Sequence, residues 1–307
     1  MALLELLERL RNPVFDFINM VFTVMGEGLF FIIILCLIFW CFDKKLAYRI
    51  CFIYVIAGLA IQTLKVSLRI ERPFVRNTSL SPVEAAKKTA TGYSFPSGHT
   101  QNATSLFLTF SHICKIKIVK CLCFIPIFLV MFSRMYLGVH TPYDVLASFL
   151  ISAMITMVVN YIFDNFSLDG SHKKWVLLSF ITLIAIITIY AAYLCVTVAG
   201  IKSENMIDIF KACGAAVGFL AGWYLETSRI QFNEKAATPF SQTLKFITGM
   251  ALLVGIKTLS AYLLSLTGLS TFITKYIEYA LLTFFITGIY PIIIKKVFTD
   301  KEPAYRH

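Results

Sequence analysis

Apolar runs, most of them near 20 residues and so long enough to cross the roughly 30 Å hydrocarbon core of a bilayer as α-helices, recur along almost the whole chain. They fall at 29–42, 46–67, 99–114, 118–137, 142–163, 175–199, 209–226, 243–266 and 276–294. Their hydrophobicity is continuous and lacks the period-2 alternation of a transmembrane barrel strand. Within lipid, such segments must satisfy their backbone groups internally, which leaves the helix. The predicted fold class is therefore all-α, a polytopic transmembrane bundle of nine spans. A mean hydropathy of +0.77 with 58% apolar and 15% charged residues in 307 excludes an ordinary soluble domain.

A net charge of +11 raises the question of nucleic acid, but the 28 Lys and Arg lie mostly in short connections between the apolar runs. That is a topology signal, and no nucleic-acid partner is expected. Lys44, Lys45 and Arg49, then Lys115, Lys117 and Lys120, then Lys173 and Lys174, then Arg229, Lys235 and Lys245, then Lys295, Lys296, Lys301 and Arg306 fall on one side. The positive-inside rule makes that side cytoplasmic. Met1 to Leu10, with Glu5, Glu8, Arg9 and Arg11 around leucines, reads as an interfacial helix and not as a cleavable signal. The eight cysteines sit in or beside apolar runs and read as small core residues.

Against this background, ionisable residues at helix ends stand out, because in a membrane protein they are expensive and functional by default. Three stretches hold them: Lys65 to Arg72-Pro73, Pro96-Ser97-Gly98-His99, and Ser133-Arg134 through His140 to Asp144. All three fall on the face opposite the basic loops, which predicts an extracytoplasmic site. The connection 68–98 joins the first two and is long for a tightly connected bundle, a length associated with function.

The residue types imply a chemistry. His140 and Asp144 are four apart, so on a helix they share a face. The carboxylate then holds one ring nitrogen as a donor and leaves the other as a nucleophile. Pro142 suits the first turn of that helix. His99 follows Ser97-Gly98 at a predicted helix N-terminus, where exposed N–H groups and the dipole favour an anion. Lys65, Arg72 and Arg134 come from three segments, and three converging cations call for a multiply charged anion such as phosphate. Two histidines and a cationic cradle point to phosphoryl transfer in two steps, with His140 attacking phosphorus and His99 protonating the leaving oxygen. Neither a cofactor nor a metal is called for, because no acidic cluster presents itself and the cations supply the charge.

In order and in internal spacing, these stretches resemble the three-part signature of the type 2 phosphatidic acid phosphatase superfamily. That family includes lipid phosphate phosphatases, undecaprenyl-diphosphate phosphatases, sphingosine-phosphate phosphatases, glucose-6-phosphatases and vanadium haloperoxidases. The resemblance implies that His140 is the nucleophile, Asp144 its orienting acid and His99 the general acid. It further implies that Lys65, Arg72, Ser97, Gly98 and Arg134 bind phosphate. It covers residues 10–165, extends to 199 as the family's six-helix core, and says little about 200–307. The expected domains are thus a phosphatase core, 1–199, with an interfacial N-terminal helix, and additional transmembrane helices, 200–307.

Singly, each of these residues has an ordinary explanation, such as a snorkelling arginine or a helix-end histidine. Jointly, their shared face, order and spacing do not. The expected function is an integral membrane phosphatase acting on a lipid phosphate or diphosphate of the phosphatidic acid or undecaprenyl diphosphate type, with lipid and bilayer as partners. The alternatives are a sphingosine-phosphate-type phosphatase and a non-hydrolytic lipid-phosphate transporter or binding protein. A soluble haloperoxidase is argued against by the nine spans. Beyond the motifs, Glu226 and Lys257 are expected to pair between helices or to snorkel to the interface, Glu27 and Glu278 are similar candidates, and Gly214, Gly218 and Gly222 form a small-residue stripe for helix packing.

Overall fold

The structure, a computed structural model, describes residues 1–166, 170–198, 203–235 and 238–298. Lys301 and Arg306 of the basic tail and part of the polar break at Ile201 lie outside the described residues. The fold is an all-α polytopic bundle, with no strand among the described residues. Its helices are α1 (Ala2–Arg9), α2 (Pro13–Val24), α3 (Gly28–Cys41), α4 (Lys44–Leu68), α5 (Pro73–Arg76), α6 (Glu84–Lys87), α7 (Gly98–Ile113) and α8 (Lys117–Leu122). There follow α9 (Phe124–Tyr136), α10 (Pro142–Asn165), α11 (Gly170–Thr197), α12 (Ser203–Leu225), α13 (Pro239–Ser265), α14 (Thr271–Phe284) and α15 (Tyr290–Val297). Single π-turns lie at Glu226–Ile230 and Phe285–Ile289.

Among the described residues, seven helical stretches are long and apolar enough to cross a membrane, and an eighth arises if α2 and α3, bent by 43°, form one span. The predicted ninth, His99 to Cys114, is the exception. It forms α7, whose 16 residues reach only about 24 Å at 1.5 Å per residue. The helix is short because it is polar, with Thr100, Gln101, Thr104, Ser105, Thr109 and Ser111 buried along it. Packing against α9 and α10 shields those groups.

The chain divides into two units. The first takes residues 1–32, 52–169 and 186–209, and the second residues 33–51, 170–185 and 210–307. In the first unit, α9 packs against α1, α2, α7 and α10. The N-terminal helix does more than lie at an interface, because Leu7 is buried with Ala86, Tyr136, Leu137 and Val139 beside the third motif. Arg11 strengthens this anchor by donating from Nε to the Tyr136 carbonyl (2.9 Å) and from Nη1 to the Ser81 carbonyl.

In the second unit, Glu226 is buried and does not pair with Lys257, which is exposed. Its partners are Lys44 Nζ (3.0 Å), the Tyr48 hydroxyl and the Phe232 N–H (3.2 Å). Glu278 pairs instead within its own helix, with Lys275 (2.6 Å). Gly214, Gly218 and Gly222 bring α12 against α14 and the π-turn after it. A Cβ on these glycines would overlap the carbonyl oxygens of Tyr276 and Ala280 and the Thr287 hydroxyl, respectively. Gly218→Ala is therefore expected to destabilise by about 2 kcal/mol, since the obstructing atom is backbone. A lower melting temperature in detergent than for Gly255→Ala checks this, because a Cβ at Gly255 meets nothing within 4 Å.

Candidate functional site

Four local structures of the first unit deliver the motif side chains. The last turn of α4 carries Lys65, and the chain leaves that helix through Arg69 in the left-handed region, with φ at 52°. Arg72 is the N-cap of α5, whose first residue is Pro73. Ser97 caps α7, accepting from Thr100 N–H (3.4 Å), so that Gly98 and His99 open the helix with their N–H groups unclaimed by a preceding turn. Arg134 sits in the last turn of α9. Gly138 follows with φ at 76°, a left-handed conformation that ends the helix and turns the chain toward His140.

The pairing of His140 with Asp144 arises differently from simple helical stacking. Thr141 is the N-cap of α10 and Pro142 its first residue, so His140 lies just outside the helix. Asp144 completes a capping box: its Oδ2 accepts from Thr141 N–H (2.7 Å), while its own N–H donates to Thr141 Oγ1 (3.3 Å). The same Oδ2 stands 3.5 Å from His140 Nδ1. Beside both stands Ser94, which donates from Oγ to Asp144 Oδ2 (2.7 Å) and lies 3.5 Å from His140 Nδ1. One carboxylate thus fixes the helix start, the serine and the imidazole together.

His140 Nε2 faces Arg72 Nη1 at 2.8 Å. A guanidinium can only donate, so Nε2 carries the lone pair and the proton belongs on Nδ1, toward Ser94 and Asp144. Burial, reinforced by Arg72, Arg134 and Lys65, holds the imidazole well below the ordinary histidine range. His140 is therefore neutral near pH 7, the form in which a ring nitrogen is nucleophilic.

The cations are held by backbone oxygens. Arg72 donates from Nη2 to the Thr91 carbonyl (2.6 Å), from Nε to Gly92 (3.1 Å) and from Nη1 to Val139 (3.1 Å). Lys65 Nζ donates to the Tyr93 carbonyl (2.9 Å). Arg134 is fully enclosed, at 0% exposure. Its Nη1 donates to Thr23 Oγ1 (2.8 Å), but its Nε and Nη2 have no partner in the structure. His99 Nε2 is likewise buried without a partner. Buried donors are nearly always satisfied, and an unpaired guanidinium edge is among the most costly exceptions. Lys65, Arg72, Arg134 and His140 all lie within electrostatic reach of His99. The cluster thus brings together Lys65, Arg72, Arg134, His99, His140 and Asp144, with the Ser97 hydroxyl and Gly98 at the adjoining helix start.

Several supporting residues escape sequence reasoning. Thr23 holds Arg134. Gly26 lies so close to His99 that a Cβ there would stand 2.8 Å from its carbonyl oxygen and 2.9 Å from its Cβ. Its own carbonyl accepts from Asn102 Nδ2 (2.8 Å). In sequence, the approach coincides with the Gly26-Glu27-Gly28 triplet between α2 and α3. Ser94 lies two residues before Pro96 and is unremarkable by type.

Comparison with known proteins adds two family matches. The PAP2 superfamily model matches residues 46–168, and the PAP2 superfamily phosphatase, transmembrane extension, matches residues 210–302. A curated relative, a probable sphingosine-1-phosphate phosphatase of Dictyostelium discoideum, is 28% identical over 167 residues, 49% of this chain. The match spans only 39% of that relative's length. Among solved structures, Aquifex aeolicus LpxE is similar at 23% identity and a TM-score of 0.45, covering 52% of this chain and 93% of that one. The first transmembrane PAP2 type phosphatidylglycerolphosphate phosphatase from Bacillus subtilis is similar at 22% identity and a TM-score of 0.45, covering 54% and 85%.

Proposed function

Because the chain belongs to the PAP2 superfamily, we propose that it is an integral membrane phosphatase that removes phosphate from a lipid phosphate or lipid diphosphate at the extracytoplasmic face. The observation that carries this reading is the enclosed Arg134, whose Nε and Nη2 lack partners beside a neutral His140. A phosphoryl group supplies what those donors lack.

Lys65, Arg72, Ser97, Arg134 and the N–H groups at Gly98 and His99 hold the phosphoryl oxygens. Arg72 Nη1, which rests on His140 Nε2, transfers its donation to a phosphate oxygen as the substrate enters and frees the lone pair. Nε2 attacks phosphorus, the phosphorus–oxygen bond to the lipid breaks, and His99 gives its proton to the leaving oxygen. The incoming negative charge lets His99 carry that proton among three cations. Asp144 and Ser94 stabilise the charged His140 ring through Nδ1. Water then attacks the phosphohistidine with His99 as base, releasing inorganic phosphate and restoring both imidazoles. The cations neutralise the transferring group, so no metal is required in this scheme.

The lipid class is of the phosphatidic acid or undecaprenyl diphosphate type, with its tail in the bilayer and the phosphatase core in residues 1–199. A second reading, a sphingoid phosphate as substrate, is favoured by the similarity to the probable sphingosine-1-phosphate phosphatase of Dictyostelium discoideum. Phosphate release by purified protein with EDTA present, on phosphatidic acid, a polyprenyl diphosphate, sphingosine phosphate and glucose 6-phosphate, separates these readings. Turnover of one lipid and not of the sugar is expected. Complete loss in EDTA with recovery on adding Mg²⁺ would overturn the metal-free scheme, and no turnover of any lipid would leave a phosphate-binding or transport protein.

A further inference from the structure

Three consecutive carbonyls, of Thr91, Gly92 and Tyr93, accept from Arg72 Nη2, Arg72 Nε and Lys65 Nζ. Two of the three cradle cations are thus aimed by one short piece of irregular backbone. Such a segment has no ladder or helix of its own to hold it in place. Gly92 adopts φ at 63°, a left-handed conformation that concentrates the bend between the two carbonyls serving Arg72.

One side-chain contact ties this segment down from far along the chain. Thr91 Oγ1 donates to Asp208 Oδ2 at 2.7 Å, across 117 residues of sequence. Asp208 stands in the second turn of α12, within the first unit, and that helix also approaches Gly92 through the Asn205 backbone. A hydrogen bond to a carboxylate is among the stronger side-chain contacts. Asp208 also acts electrostatically on both Lys65 and Arg72.

We propose that Asp208 is a positioning residue for the phosphate cradle: by holding Thr91, it fixes the carbonyls that orient Arg72 and Lys65. It touches neither phosphate nor the reacting atoms, and it lies downstream of the motif-bearing core. The inference rests on the reading of Lys65 and Arg72 as phosphate ligands. It separates the Thr91 contact, which aims the cations, from the charge of Asp208, which lowers their mutual repulsion.

The test is the stabilisation of the full-length protein in detergent by inorganic orthophosphate, read as a melting-temperature titration, together with KM and kcat on the best lipid substrate. Thr91 is exposed, so Thr91→Val leaves the unliganded melting temperature close to wild type. Thr91→Val and Asp208→Ala are each expected to raise the half-saturating phosphate concentration and KM roughly tenfold, the size of one hydrogen bond to a charged group, with kcat changed by less than about threefold. Thr91→Ser, which keeps the hydroxyl, restores near wild-type values. The double variant is no worse than the worse single one, because Asp208→Ala already removes the contact that Thr91→Val removes. An unchanged phosphate midpoint in Thr91→Val, or fully additive effects in the double variant, would overturn the proposal. A wild-type protein that orthophosphate does not stabilise removes the phosphate-site reading itself and this inference with it.

Discussion

His140→Ala is expected to leave phosphate release at background, a loss of at least about 10⁴-fold in kcat, while the protein stays folded. In the proposed mechanism Nε2 forms the bond to phosphorus, so the variant lacks the attacking atom. The fold survives because Arg72 Nη1 keeps the Val139 carbonyl and Asp144 keeps its capping box with Thr141. Orthophosphate should therefore still raise the melting temperature of the variant. Turnover within tenfold of wild type would show that His140 is not the nucleophile and would favour a binding or transport protein.

Arg134→Met is expected to separate stability from function. The guanidinium is wholly enclosed and holds one protein partner, Thr23, with two of its nitrogens unpaired. Enclosing a charge this way costs several kcal/mol, and exchanging it for an apolar chain of similar length is often neutral or stabilising by about 1–3 kcal/mol. The unliganded variant should melt at or above the wild-type temperature, yet lose at least about 10³-fold in activity and all stabilisation by orthophosphate. A substantial fall in melting temperature would instead mark Arg134 as a structural residue. The expectation follows from a general property of such sites: a cradle of like charges is destabilising until its anion arrives.

Much of this arrangement was legible before any coordinates. Continuous apolar runs dictate helices in a bilayer, and the motif cations and imidazoles stand out as ionisable residues at the ends of those runs. What was not legible has physical causes. The Thr91, Gly92 and Tyr93 carbonyls carry no sequence signature, since every residue has one. Thr23 and Ser94 are hydroxyls of ordinary type, distinguished only by the groups they meet. α7 carries a buried row of hydroxyls among its phenylalanines and leucines, a pattern that the apolar residues of 99–114 do not reveal. Asp144 was expected to orient His140 from a shared helix face, but the contact is made through a capping box, which sets the same two residues together by a different geometry. Glu226 pairs with Lys44 across 182 residues of sequence, a separation over which residue type alone names no partner.

The most direct test of the central claim is to trap the covalent intermediate. Wild-type protein would be mixed with excess ³²P-labelled lipid phosphate, the best substrate of the panel, and quenched in alkali within a single turnover. The expected result is label on the protein that survives alkali, is lost in acid, maps to His140 by peptide analysis, and is absent from His140→Ala. Rapid turnover with no protein-bound label at any quench time, or label on another residue, would contradict it.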